Sequence, residues 1–65
     1  MEQEWIMIYK TSKSFEAELI KNMLEAEHIK CVLVNKKDSA YLFGYVELYV
    51  HVEDGPKAAM LIEDF

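Results

Sequence analysis

One segment of the chain, residues 14–29, carries the longest helical periodicity in the sequence, and any fold has to bury its apolar side. Apolar residues recur there at the three- and four-residue spacing of an amphipathic α-helix, while charged and amide side chains fill the other positions. Ser12 or Ser14 can cap the first turn, and the early glutamates suit the positive end of the helix dipole. The predicted apolar stripe consists of Phe15, Ala17, Leu19, Ile20, Met23 and Leu24.

Three segments have the alternation that is typical of β-strands. Residues 4–11 have apolar side chains on both predicted faces, and residues 30–35 place Val32 and Val34 opposite Cys31 and Leu33. Residues 45–53 have the clearest two-residue period in the chain. The inner set of this third strand is predicted to be Val46, Leu48, Val50 and Val52, and the outer set Tyr45, Glu47, Tyr49 and His51.

Two short signals place the ends of the helices. The first helix is predicted to end near Glu27 and His28 with a residue in the left-handed conformation, where glycine is usual but histidine is tolerated. Asp54 and Pro56 predict the start of a second helix, because aspartate can cap and proline fits the first turn. The apolar positions of this helix are Ala58, Leu61, Ile62 and Phe65.

The predicted order is therefore β-α-β-β-α, within a single α+β domain that covers residues 1–65. A right-handed crossover through the first helix makes the first two strands parallel and leaves room for the third between them. This is a ferredoxin-like split β-α-β arrangement, a three-stranded sheet of order 1-3-2 without its fourth strand. We expect both helices on one face, against Ile6 and Ile8, Val32 and Val34, and the inner set of the third strand.

Three segments carry a resemblance to a known family: FEAELIK at residues 15–21, LEAEHI at residues 24–29 and VELYVHVED at residues 46–54. They resemble a family of small bacterial domains of unknown function, described as "putative prokaryotic signal transducing protein". The chain departs from it at His28, where the family usually has glycine. The resemblance implies a likeness to the nitrogen-regulatory PII proteins, which share the split β-α-β sheet. Residues 36–44 are too short for the long PII effector loop, and no glycine-rich phosphate cradle is present.

The sheet face that the helices leave uncovered is predicted to be more apolar than a solvated face should be. Two alternatives could cover this face: a second protomer or partner, or the loop at residues 36–44 with its Tyr41, Leu42 and Phe43. We expect the first, with dimerisation through the first strand or through this face, since a chain of 65 residues has a small core and gains stability by burying more surface in a dimer. The residues predicted to form this ligand or partner surface are Trp5, Met7, Tyr9, Leu33, Tyr45, Tyr49 and His51, with Cys31 and Glu47 among them.

Charge and composition restrict the classes of partner that this chain is expected to bind. Twelve acidic residues oppose seven lysines without any arginine, and the net charge of −5 argues against nucleic acid and anionic membranes as partners. The segment FGYV at residues 43–46 echoes the base-stacking motif of RNA-recognition domains, which leaves RNA binding as a remote alternative. Tyr41 and Leu48, however, stand where that motif has a basic and an aromatic residue. The single Cys31 cannot form an intramolecular disulfide, so we expect a reducing cytoplasm, and no apolar run is long enough to span a membrane.

No set of catalytic or metal-ligating residues stands out. His28, Cys31 and His51 start on different elements, so we expect no metal, no cofactor and no enzymatic activity. Two hypotheses from different classes remain. The first is a non-catalytic regulatory or interaction domain that acts as a homodimer and binds a protein partner; the resemblance implies a role in signal transduction. The alternative is a PII-style sensor that binds a small metabolite at a subunit cleft.

Overall fold

The computed structural model describes residues 4–37 and 44–65. The predicted covering loop, with Tyr41, Leu42 and Phe43, lies outside these described residues. The element order β-α-β-β-α agrees with the prediction. The elements are β1 (Trp5–Thr11), α1 (Ser14–Ala26), β2 (Cys31–Asn35), β3 (Val46–His51), a short 3-10 turn (Val52–Asp54) and α2 (Gly55–Glu63).

The sheet has β3 at its centre. β3 pairs antiparallel with β1 on one side and with β2 on the other, so the order is β1-β3-β2 and the two outer strands are parallel. α1 packs against all three strands, and α2 packs beside it against β1 and β3. The predicted α+β fold, its sheet order and the placement of both helices on one face are confirmed.

The core lies between the helices and the inner face of the sheet. The alternation of β3 holds for Val46, Leu48 and Val50, but Val52 is 47% exposed because the chain leaves the strand there and enters the 3-10 turn. The buried apolar residues are Ala17, Ile20, Leu24, Ile29, Cys31, Val46, Leu48, Val50 and Ala58.

The apolar stripe of α1 is narrower than predicted. Ala17, Ile20 and Leu24 are buried and Met23 packs against them, as expected. Phe15 and Leu19 instead remain 66% and 53% exposed. At about 100° per residue, both lie about 160° around the helix from Ala17, so a single sheet beneath α1 cannot cover them. Including them in the core stripe was wrong.

The two faces of β2 are the reverse of the prediction. Cys31 pairs with Val50 and Leu33 pairs with Leu48, and residues directly opposite each other share a face. Cys31 and Leu33 therefore face the helices, and Val32 and Val34 face outward. Both sets are apolar, so the alternation alone cannot choose between them, and only the register with β3 decides.

A β-bulge changes the faces of β1. Met7 pairs with Tyr49 but Tyr9 pairs with Leu48, so Ile8 is an extra residue in the ladder. As a result Ile8 and Tyr9 both pack against the core. The prediction that Tyr9 lies on the outer face was wrong, because strict alternation does not hold across a bulge.

The end of α1 follows the prediction closely. His28 has φ 66°, the left-handed conformation that was predicted for this position. Its N–H donates to the carbonyl of Glu25, and the next N–H, of Ile29, donates to the carbonyl of Leu24, both at 3.0 Å. This is a Schellman motif, which satisfies carbonyls that the helix end would otherwise leave free. At the other end, Lys13 occupies the N-cap position without a side-chain capping bond, so the predicted serine cap is not formed.

Candidate functional site

The face of the sheet away from the helices is the candidate site, and we call it the open face. The register of the strands places Met7, Tyr49 and Val32 in one row across all three strands. The open face consists of Trp5, Met7, Lys10, Val32, Val34, Glu47, Tyr49 and His51, with Tyr45 just before β3.

Five of the seven predicted surface residues lie on this face: Trp5, Met7, Tyr45, Tyr49 and His51. Tyr9 and Leu33 point to the helix side and do not belong to it, and neither does Cys31. Sequence reasoning missed Val32, Val34 and Lys10. The two valines were assigned to the wrong face of β2, and Lys10 follows the bulge, which shifts its side chain to the open face.

The middle of the open face is apolar and concave. A shallow hollow of about 350 Å³ is lined by Trp5, Val32, Val34 and Tyr49. Trp5 in this lining is 40% exposed, and the neighbouring Met7 is 47% exposed. Large apolar side chains that share one exposed face mark contact sites more often than solvated surface.

Trp5 and His51 form a close pair at one end of the hollow. Trp5 pairs with His51 in the ladder, and beside this pair the N–H of Val52 donates to the carbonyl of Glu4. Hydrogen-bonded and non-hydrogen-bonded pairs alternate along an antiparallel ladder. Trp5 and His51 therefore form a non-hydrogen-bonded pair, in which side chains approach closely. Their ring centroids are 3.9 Å apart and their planes are inclined by 32°. His51 Nδ1 is buried and has no hydrogen-bond partner among the described residues.

The polar groups of the open face lie together at its other end. The Tyr49 hydroxyl donates to Glu47 Oε1 at 2.8 Å, and this bond to a carboxylate raises the pKa of Tyr49. Lys36 Nζ lies 4.0 Å from the same oxygen, and Lys10 Nζ lies 4.8 Å from the centre of the Tyr45 ring. Glu47 thus has a lysine and a hydroxyl beside it, and the apolar part of the face is left without a free acid.

Negative charge is concentrated on the opposite side of the molecule. Among the described residues, α1, α2 and the turns beside them carry most of the acids, whereas the open face carries only Glu47. The acids of the helix side are Glu16, Glu18, Glu25, Glu27, Glu53, Asp54, Glu63 and Asp64. Within the described residues, the sheet is therefore nearly neutral and the helix layer is acidic.

Other chemistry has little support in the described ranges. Cys31 is buried in the core, and burial raises the pKa of its thiol, which makes the reactive thiolate less available. Within residues 4–37 and 44–65, no group of three or more His, Cys, Asp or Glu residues is placed to hold a metal ion. No helix in that part of the chain is long and apolar enough to cross a membrane.

Comparison with known proteins gives one match. A family model described as "putative prokaryotic signal transducing protein" matches residues 5–65. The matched range contains every strand and helix described above. No curated protein and no solved structure matches the chain.

Proposed function

The chain belongs to the family described as "putative prokaryotic signal transducing protein", and from that premise we propose that it is a non-catalytic regulatory domain that acts as a homodimer. Two copies meet through their open faces, and the dimer binds a protein partner. The apolar open face, with its hollow between Trp5, Val32, Val34 and Tyr49, is the observation that carries the proposal. The proposal places the domain in the cytoplasm, where its single thiol stays reduced.

The accessible surface and the radius of gyration of the molecule are larger than those of a compact domain, which supports a second layer on the sheet in the assembled protein. The chain has a solvent-accessible surface of 4757 Å², whereas a compact monomer of this mass exposes about 4300 Å². Its radius of gyration is 12.1 Å, against about 10.7 Å for a compact domain of this length. The molecule is flat, with principal extents of 37 × 29 × 15 Å, as expected for one helix layer on a sheet whose other face no described helix or strand covers. A second copy on the open face would complete the second layer.

The charge distribution favours a second copy over a basic partner at this face. A twofold contact brings identical groups together, so it is favourable only where like charges do not meet. Most acids of the described residues lie on the helix side, while Glu47 on the open face has Lys36 beside it. Aromatic and methionine side chains, which Trp5, Met7 and Tyr49 supply, are enriched in interface cores.

The backbone of β1 favours the open face over the edge of β1 as the proposed contact. A β-bulge at Ile8 interrupts the ladder of β1, and such bulges discourage strand addition at an edge. Contact through the open face is made by side chains and needs no regular edge ladder. This face is about 20 Å long and three strands wide, and its area is smaller than the about 800 Å² per partner of a standard interface. We therefore expect dissociation in the micromolar range.

Equilibrium sedimentation of the wild type, Trp5→Glu and Phe15→Glu tests the proposal. Both variants replace an exposed aromatic residue by glutamate, but Trp5 lies on the open face and Phe15 lies on α1. We expect the wild type and Phe15→Glu to dimerise at micromolar concentration and Trp5→Glu to remain monomeric with an unchanged circular-dichroism spectrum. A monomeric wild type, or equal weakening by both substitutions, would contradict the open-face dimer.

The hollow favours one alternative function. Its volume of about 350 Å³ lies within the range of small-molecule sites, so a metabolite sensor in the PII style is the second candidate. Thermal unfolding against a panel of metabolites separates the two, because a ligand that binds only the folded state raises the melting temperature. A regulatory domain that works by protein contact alone should show no such increase.

A further inference from the structure

A second feature, independent of the open face, is the edge of β2 that no other described strand covers. In the order β1-β3-β2, both β1 and β2 are edge strands. The β1 edge is interrupted by the bulge at Ile8, whereas β2 pairs with β3 without a shift over Cys31–Asn35. β2 is thus the regular edge of the sheet, and regular edges accept additional strands.

The hydrogen-bond pattern shows which backbone groups of β2 point outward. The N–H of Lys36 donates to the carbonyl of Tyr45 at 2.8 Å, which extends the β2–β3 ladder by one pair. Hydrogen-bonded and non-hydrogen-bonded pairs alternate along an antiparallel ladder. Val34 and Val32 therefore bond to β3 like Lys36, and the alternate residues of β2 do not. The backbone N–H and C=O groups of Cys31, Leu33 and Asn35 therefore point away from the sheet. No backbone group elsewhere in the described ranges bonds to them.

A groove runs beside this edge. α1 and β2 enclose a hollow of about 380 Å³, with Leu33 on the strand side and Glu18, Lys21 and Asn22 on the helix side. Edge strands next to a helix are a recurrent site for peptides that add as an extra strand. Main-chain bonds supply affinity in such sites, and the side-chain pocket supplies specificity.

The charges of the groove indicate the chemistry of its occupant. Lys21 Nζ lies 3.0 Å from Glu25 Oε2, so its charge is already paired within α1. Glu18 makes no hydrogen bond or ion pair with a described residue. A ligand therefore meets an apolar wall at Leu33 and an uncompensated carboxylate at Glu18.

We propose that this groove binds an extended peptide of a partner protein, which adds antiparallel to β2 as a fourth strand. The peptide places an apolar side chain against Leu33 and, two residues away on the same face, a lysine or arginine near Glu18. A second copy of this chain fits less well, since twofold pairing of two β2 edges would bring the acidic α1 helices side by side. The proposal names the kind of protein partner but does not need the dimer.

Fluorescence anisotropy with three labelled peptides of about eight residues tests the proposal. The parent peptide alternates threonine with valine, leucine and lysine. One derivative is N-methylated at leucine and lysine, whose amides would face β2, and the other at the threonines between them. We expect micromolar binding of the parent, at least about tenfold weaker binding of the first derivative, and binding within about twofold of the parent for the second. Absence of binding at millimolar concentration, or equal binding of the two derivatives, would overturn the proposal.

Two protein variants test the role of Glu18. Glu18→Lys should weaken binding of the parent peptide by about tenfold, while the matched reversal Glu63→Lys on α2 should leave it unchanged. Equal effects of both reversals would show only a general charge effect and would refute a site at Glu18. Trp5→Glu should bind the peptide like the wild type, and Glu18→Lys should dimerise like the wild type. Failure of the groove and failure of the open-face dimer are therefore distinguishable.

Amide exchange in the free protein gives an independent readout of the edge. The N–H groups of Val32 and Val34 should exchange slowly because β3 holds them, and the N–H of Leu33 should exchange much faster. On addition of the parent peptide, the Leu33 amide should become protected. Equal protection of Leu33 and Val34 without peptide would mean that the edge is already occupied, and the proposal would be wrong.

Discussion

The hydroxyl of Tyr9 donates a hydrogen bond of 3.0 Å to Glu16 Oε1 and thereby joins β1 to the first turn of α1. The Thr11 hydroxyl donates to the same oxygen at 2.7 Å and accepts from the backbone N–H of Lys13 at 3.1 Å. This network holds the connection between β1 and α1 where a capping side chain is absent. The bulge turns Tyr9 to the helix side, and there its hydroxyl is engaged by Glu16.

Glu16 should make the stability of the domain depend on pH. The hydrogen bonds from Thr11 and then Tyr9 lower the pKa of Glu16 below its usual 4.5. A lowered pKa in the folded state stabilises the protein above the unfolded pKa, and this stabilisation is lost as pH falls through the folded pKa. Urea unfolding at neutral pH and in acid should show a smaller pH dependence for Glu16→Gln than for the wild type. Glu18→Gln is the control and should keep the wild-type dependence; the same profile for all three proteins would contradict the network.

Replacing Leu24 by alanine should destabilise the domain much more than replacing Leu19, although both residues lie on the same helix. Leu24 is fully buried, so Leu24→Ala leaves a cavity and should cost about 2–5 kcal/mol of unfolding free energy. Leu19 is 53% exposed, and Leu19→Ala should change stability by less than about 0.5 kcal/mol. Denaturant unfolding measures both, and a comparable loss for the two variants would place Leu19 in the core after all.

His28→Gly should stabilise the domain. A residue with a Cβ loses about 1–2 kcal/mol in the left-handed conformation that His28 adopts, with φ 66°. The greater freedom of glycine in the unfolded chain offsets part of this gain, so we expect a net increase of about 0.5–1 kcal/mol. Glu27→Gly, at φ −97°, is the matched control and should destabilise. Thermal unfolding compares them, and a lower melting temperature for His28→Gly would contradict the prediction.

Gly44→Ala should destabilise the domain through the backbone. Gly44 has φ 114°, and a Cβ there would lie 2.8 Å from the carbonyl oxygen of Lys36, which cannot move without disturbing the end of β2. We expect a loss of about 1–3 kcal/mol. At Gly55 an added Cβ would meet only the terminal methyl of Ile6, also at 2.8 Å, which can rotate away. Gly55→Ala should therefore cost less unfolding free energy than Gly44→Ala. Its cost should be smaller still when it is measured relative to an Ile6→Val protein, which lacks that methyl. A larger loss for Gly55→Ala than for Gly44→Ala in urea unfolding would contradict the prediction.

Much of the fold could be predicted from local chemistry. The period of residues 14–29 predicts α1, and the closure of the helix at His28 follows from backbone conformations that histidine tolerates. Once the elements are known, the right-handed crossover leaves β3 in the centre of the sheet. These features depend on neighbours along the chain and on handedness, so the sequence by itself determined them.

The surface residues needed the tertiary structure. On β2 both alternating sets are apolar, so only pairing with β3 decided that Val32 and Val34, and not Cys31 and Leu33, face outward. On β1 the bulge turned Tyr9 inward to Glu16. Hydrophobic periodicity tells how side chains alternate, but which set faces the helices is decided by register, a contact between segments far apart in the chain. The sequence thus determined that this protein has an apolar sheet face, and only the packing of the strands decided which residues form it.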